Sequence, residues 1–436
     1  MINDKASLAQ IPSGVGVNTL FSVVPNTSTG DFTYSGATNG TRVNKDGLIE
    51  TIPANVPRLN YPLLNEVVQN NPVVLTEDNM TNNFTYSESN SGKTLTNVTL
   101  ENNIGVAPDG SYNALKMAEN TSNGRHRFQT PTFSVSGSLK YAISFFVKKN
   151  SENRYVFINA GTLLNASGSF DLDTGATTGS VQLFETYPNG WYRIGIHAQP
   201  SSTNTNVAFI QMQKGTSDED YVGDGSSCFL WGFQFEENFN GQTSYIPNLS
   251  SGTTTRAADT ATDAQAEFNS LEGVLYLNAK AGNTDNISDV VAFTLSDGST
   301  SLPIMDNAVS IEYSLLSNVV TGRSIINGSS VPLVATAITT SADIYTFNKI
   351  AYQYKENEYK MFFNGFKLGQ VDYSDIFEEG DLEEVNFRGL SSGTDFYGET
   401  KELIAFSGGM TDEELETLTS YRSFKDMAKE LLFTIE

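Results

Sequence analysis

Two tryptophans lie inside one stretch of alternating residues, and that stretch commits the chain to antiparallel β-structure. Residues 181–261 run from VQLFETYPNGWYRIGIHAQP to YVGDGSSCFLWGFQFEENFNGQTSYIPNLSSGTTTRAADT. Trp191 and Trp231 each sit where aromatic and β-branched residues alternate with others, and Gly190, Gly223 and Gly225 break the chain just before those runs. A period of two bounded by glycine reads as half-buried strands joined by tight turns. Turn clusters recur at short intervals through residues 81–250, between runs such as KYAISFFVKK, RYVFINA and WYRIGIHAQ. No segment there holds a helical period for three turns, so an antiparallel sandwich is expected.

Composition decides what such sandwiches can meet. Charged residues are only 17% of the 436, and the net charge is −24. A phosphate backbone would be repelled, which argues against nucleic acid as a partner. Cys228 is the single cysteine, so no intrachain disulfide forms, and its strand setting predicts a small buried residue. The opening MINDKASLAQIPSG lacks the basic end and apolar core of a signal peptide. No apolar run nears the roughly 20 residues of a membrane span, so no membrane insertion is expected. Synthesis in a host cytoplasm followed by action outside it, as in a virion, reconciles these features with a Gly-, Ser-, Thr- and Asn-rich, extracellular-looking composition.

Taken in order, residues 1–62 read as an extended attachment arm and connector. Asp46-Gly47 marks a hairpin between TRVN and LIET, and Pro53, Pro57 and Pro62 keep the next segment extended. So short a run cannot bury a core alone, so it is expected to dock on another virion protein. Residues 63–80 are a linker, 81–250 the first sandwich, 251–268 a second linker, and 269–410 a second sandwich. Residues 411–436 are the one expected helix. Thr411 and Glu414 form a capping box, Met410 and Leu415 a staple, and Leu415, Leu418, Phe424, Ala428 and Leu431 an apolar stripe.

Seven motifs stand in order over about 170 residues: APDGSYNALKMAENTSNGRHRF, YAISFFVKKNSENRYVFI, SFDLDTGA, PNGWYRIGI, YVGDGSSCFLWGFQFEE, TSYIPN and TTTRAAD. The series resembles the carbohydrate-binding-module-like jelly roll of bacteriophage tail and minor structural proteins, over about 81–260. The upstream GATNGTRVNKDGLIETIPANVPRLNYP resembles the segment that often precedes it. IAYQYKENEYKMFFNGFKLG and IAFSGGMTDEEL resemble a concanavalin or laminin-G sandwich. The resemblance implies an all-β fold of two antiparallel β-sandwich domains, jelly-roll and lectin-like, with an extended N-terminal arm and a C-terminal amphipathic helix. It implies a virion fibre or appendage subunit, a homo-oligomer and by analogy a trimer, adhering to host-surface glycan. The alternatives are a decorating or assembly protein that binds only virion proteins, and a polysaccharide-degrading enzyme. The fold serves both binding and assembly, so it does not choose between them.

Catalysis finds little support in the residues. His126 and His197 are the only histidines, and no metalloprotease, P-loop, nucleophile-elbow or dinucleotide motif appears. His126, between two arginines, reads as an exposed strand residue. Asp171 with Asp173, and the run Asp372, Asp375, Glu378, Glu379 and Asp381, read as solvated acidic surface. No catalytic residue, metal ligand or cofactor is therefore expected. Lectin-like sandwiches often hold a structural calcium, and the oxygen-rich segments 282–289 and 305–308 would supply ligands, though neither has a ligand spacing. Glycan binding would use exposed rings as stacking platforms. Trp191 and Trp231 read as core, leaving Tyr187, Tyr221, Tyr352, Tyr354 and Tyr397 as candidate contacts, each of which reads first as a cross-strand partner.

Overall fold

The computed structural model describes residues 6–237, 242–282, 290–299, 306–315, 317–332, 334–337, 344–390 and 394–421. Strands dominate and every paired strand is antiparallel, giving two β-sandwiches in one chain. The first stacks a five-stranded sheet, ordered 94–96, 126–129, 209–213, 155–160 and 166–171, on a six-stranded one. The larger sheet runs 98–105, 114–119, 227–237, 141–149, 191–198 and 181–187. Between them lies a core of Phe84, Phe128, Phe145, Phe233, Ile143 and Ile210 with their neighbours.

Alternation alone would put Trp231 and Phe233 of Ser227–Glu237 on the same face. A bulge at Gly232, where φ is +61°, shifts the register and separates them. Phe233 therefore points into the sandwich while Trp231 points outward, edge-on to Phe146 at 5.3 Å. A Cβ at Gly232 would meet the Phe146 ring at 2.8 Å, so the close packing also requires the glycine. The outer face thus carries a second apolar layer of Phe146, Tyr187, Trp191 and Trp231, closed by Val43, Ile49 and Tyr245. Both tryptophans are buried, at 3% and 1% exposure.

In the second sandwich, one sheet is ordered 366–371, 359–363, 348–355, 272–281, 398–406, 73–76 and 58–60, with Ala6–Gln10 also paired on 398–406. The facing sheet is ordered 264–265, 384–386, 290–296, 308–314, 319–326 and 329–330, with 334–337 also paired on 319–326. Asn364 and Gly365, both at positive φ, make the tight turn between Tyr359–Phe363 and Phe366–Val371. The helix Asp412–Thr419 starts at Thr411 with the expected reciprocal capping bonds, at 3.2 and 2.9 Å. Met410 and Leu415 pack with Val274, Tyr276 and Phe362 on this same chain. Phe424, Ala428 and Leu431 lie outside the described residues.

The N-terminal segment is extended, but its docking surface differs from the one expected. Residues 6–36 lie on this chain's own second sandwich, and the 40–52 hairpin lies on the outer face of the first. Leu8, Leu20, Phe32 and Tyr34 are all buried in that sandwich's core. The reason is edge chemistry: strand Gly398–Phe406 would otherwise leave one row of backbone groups unpaired, and Ala6–Gln10 and Val73–Thr76 fill it. The stretches expected as linkers are also paired, Met80–Asn82 with Thr254–Arg256 and Asp259–Thr262 with Phe32–Gly36.

Candidate functional site

The motifs quoted from the sequence converge on the junction between the sandwiches. Arg58 of PANVPRLNYP, Ser244 of TSYIPN, and Arg256 and Asp259 of TTTRAAD meet Glu77 in one buried cluster. The Arg58 guanidinium donates to Glu77 at 2.5 Å, to the Ser244 hydroxyl at 3.0 Å, to the Thr41 carbonyl at 3.1 Å and to Asp259. Arg256 pairs with Glu77 at 3.1 Å and donates to the Asp78 carbonyl at 2.9 Å. Tyr34 closes the cluster by donating to Asp259 at 2.5 Å. These residues tie the arm, both linker stretches and the end of the first sandwich together.

Burial pushes the Glu77 carboxyl up, but Arg256, Arg58 and the Ser244 hydroxyl and amide outweigh it and hold it at about 2. Burial also opposes the Arg58 charge, and Asp259 and Glu77 more than restore it. A carboxyl depressed in the folded state stabilises above its unfolded value of 4.5, and the gain disappears as pH falls from there toward 2. The junction is expected to lose on the order of 3 kcal/mol across that window. Urea midpoints measured at pH 7, 4.5 and 3 check this; an unchanged midpoint down to pH 3 would contradict it.

Above the cluster opens a cleft of about 280 Å³ with walls from three parts of the chain. Thr41, Arg42 and Asn60 come from the arm, Glu185, Tyr187 and Arg193 from the first sandwich, and Lys280, Tyr345 and Glu399 from the second. The charged groups are matched in place. Arg42 holds Glu50 at 2.9 Å, Lys280 holds Glu399 at 3.1 Å, and Arg193 lies 3.9 Å from Glu185. Tyr187 donates to Glu185 at 2.5 Å, and Asn60 donates to Glu399 at 3.3 Å. The result is a concave surface of fixed donors and acceptors beside three tyrosines, Tyr187, Tyr245 and Tyr345.

The five candidate tyrosines are not exposed platforms: all are buried, at 0–9% exposure. Tyr221 donates to Glu119 at 2.5 Å, Tyr354 to the Asn269 carbonyl at 2.8 Å, and the Tyr352 hydroxyl lies 3.1 Å from that of Ser324. Tyr397 lies under the second sandwich and Tyr187 under the hairpin of residues 40–52, though Tyr187 also lines the cleft. Strand alternation predicts two faces but not what covers each, and here a second sheet or the arm covers both. Among the described residues the two most exposed rings are Tyr112, at 65%, and Phe366, at 74%. Sequence reasoning missed both, although the Asp109-Gly110 turn and the Asn364-Gly365 turn beside them were readable signals.

His126 is also buried rather than exposed, with its ring nitrogens 2.9 and 3.1 Å from the carbonyl oxygens of Asn97 and Tyr221. Burial, with Glu119 nearby, pushes the Cys228 thiol up to about 12, which leaves it a packing residue and not a nucleophile. Asp173 is tied to Lys149 at 2.7 Å, and Asp171 caps its own turn through Thr174 at 2.7 Å. Among the described residues no group of three or more His, Cys, Asp or Glu could hold a metal ion. Of the oxygen-rich segments 282–289 and 305–308, where calcium ligands were expected, residues 283–289 and 305 lie outside the described part. No described helix is long and apolar enough to cross a membrane.

No protein-family model and no curated protein matches the sequence. Among solved structures, the chain is similar to the CBM40 domain of Ruminococcus gnavus IT-sialidase, which was solved with α2,3-sialyllactose bound. Identity is 14% over 35% of this chain and 84% of that one, with a TM-score of 0.28. It is similar to the heptameric SAP-like pentraxin of Limulus polyphemus at 10% identity, over 36% and 72% of the two chains, with a TM-score of 0.29. Trypanosoma rangeli sialidase spans 93% of this chain and 83% of its own at 9% identity and a TM-score of 0.27. At that level of overlap the likeness assigns neither ligand nor activity.

Proposed function

We propose that this chain is a glycan-binding structural subunit of a bacteriophage virion appendage, with the inter-sandwich cleft as its sugar site. The observation that carries the glycan reading is the cleft itself. A sugar offers many hydroxyls and an apolar ring face, and it is bound by a concave wall of preset donors and acceptors beside aromatic rings. Tyr187, Tyr345, Asn60, Arg42, Lys280 and Glu399 make such a wall. Their charges are already paired, so ligand hydroxyls can bridge them with little rearrangement. The virion part of the reading is supported by the ordered motifs from GATNGTRVN to TTTRAAD. Display on a trimer would turn weak single contacts into useful avidity.

The test is a glycan array probed with the full chain, followed by calorimetry on any hit. Lys280→Ala removes a donor and leaves Glu399 with Asn60 alone, and a drop in affinity of about tenfold or more is expected. A chain that binds nothing on the array, or binds equally well as Lys280→Ala, rules the cleft out. Cryo-EM of purified virions tests location separately, since both sandwiches should project into solvent.

The assembly reading has its own observation. Residues 6–30 contain no charged side chain in a protein of net charge −24, and within them Val17, Phe21 and Val23 are exposed. An uncharged apolar surface on so acidic a protein suits contact with another virion protein. The degradative alternative has no comparable support. Of the acids lining the cleft, Glu77 and Glu399 are each held by a cation, and Glu185 takes the Tyr187 hydroxyl.

A further inference from the structure

We infer that a second pocket, on the far side of the 40–52 hairpin, is a binding site for a carboxylate-bearing sugar, with Lys148 as the group that reads the charge. The pocket encloses about 320 Å³ between the hairpin tip, the loop carrying Val106 and Pro108, the turn at Pro188-Asn189 and the outer face of the six-stranded sheet. That volume suits one or two sugar rings. Tyr187 lines both this pocket and the cleft, but the other walls differ.

Lys148 is singled out by contrast with its neighbour. Lys149 holds Glu152 at 2.6 Å and Asp173 at 2.7 Å on the opposite face of the strand. Lys148 sits across from Trp191 on one side and Phe229 on the other, so its cross-strand neighbours are aromatic. It makes no ion pair or hydrogen bond to any other described residue, although the chain has 50 acidic residues against 26 basic ones. Lys148 lines the pocket without a partner, and in so acidic a protein a carboxylate partner was easy to supply. Facing a cavity, it is completed by an anion from outside.

The remaining lining specifies the rest of the ligand. Leu48, Val106, Pro108 and Pro188 offer apolar surface to a ring face, and the Asn189 amide offers a donor and an acceptor to hydroxyls. Tyr112, the only exposed tyrosine among the described residues, stands four residues after Pro108 in the same loop and offers an open ring face. An acidic sugar combines a carboxylate, an apolar ring face and hydroxyls in one small molecule. A polyanion would be repelled by the net charge of −24, whereas a single carboxylate needs only the local cation.

The test compares a glucuronic-acid disaccharide with its carboxyl-reduced neutral counterpart, using calorimetry and saturation-transfer NMR on the full chain. The acid should bind about tenfold or more tightly, the scale of one charge-assisted hydrogen bond. Lys148→Gln should abolish that preference without shifting the thermal midpoint, because the side chain supports nothing else. Asn189→Ala should weaken both ligands and keep the preference. Equal binding of the two sugars, or a preference that survives Lys148→Gln, overturns the proposal. Acetate competing as strongly as the disaccharide would also overturn it, by reducing the site to a small-anion contact. The acid preference should survive Lys280→Ala; if it vanished, the acid would belong in the cleft and the pocket assignment would fail while the glycan reading stood.

Discussion

Arg58→Ala should cost about 3–5 kcal/mol, because it leaves the buried Asp259 without a cation and Glu77 with Arg256 alone. A surface ion pair would move stability by less than about 1 kcal/mol, so the two cases separate cleanly. Arg58→Lys should recover only part of the loss. One ammonium cannot reach Glu77, Asp259, Ser244 and the Thr41 carbonyl together, as the forked guanidinium does. Arg58→Met probes the other side of the balance. It leaves Asp259 buried without a cation and Glu77 with Arg256 alone, so it should be as damaging as alanine despite filling the space. Urea denaturation followed by intrinsic fluorescence is well placed to report this, since Trp231 packs against Tyr245, next to Ser244 of the cluster. A loss under 1 kcal/mol for Arg58→Ala would show that the cluster does not hold the junction.

Removal of residues 1–36 should leave a chain that fails to form its second sandwich. The deletion takes out Leu8, Leu20, Phe32 and Tyr34, all buried in that core. Truncating one such side chain typically costs about 2–5 kcal/mol, and a whole domain is stable by only about 5–15 kcal/mol. It also bares the edge of strand Gly398–Phe406, where Ala6–Gln10 was paired, so aggregation is the expected visible outcome. The first sandwich keeps its own core and should survive, giving a partly folded, protease-sensitive product. A soluble deletion with unchanged circular dichroism and melting would instead return these residues to the role of a detachable arm.

These two outcomes bear on how much of the molecule was legible. The turns were readable, because Gly47, Asn364 and Gly365 sit at positive φ that few residues adopt without strain. The helix start was readable for a similar local reason, since Thr411 and Glu414 satisfy one another across three residues. The candidate site was much less so. The five tyrosines sit on strands with clear alternation, and alternation says only that two faces exist. Whether a face meets water depends on which distant segment lies over it. Tyr187 is covered by residues 40–52, and Tyr352 by the facing sheet.

The same distinction runs through the whole chain. Local chemistry determined the all-β class, the positions of the main strands and turns, and the acidic net charge. These follow from periodicity, φ preferences and net charge, each of which acts over a few residues or over the chain as a whole. Tertiary structure alone decided that the N-terminal segment belongs to its own second sandwich, and that Arg58, Glu77, Ser244, Arg256 and Asp259 form one cluster. It also decided that Lys148 faces a cavity while Lys149 is paired. Those facts join residues as much as 400 positions apart, such as Ser7 and Ser407, and depend on which sheet edge or face is left to be covered when everything else has packed.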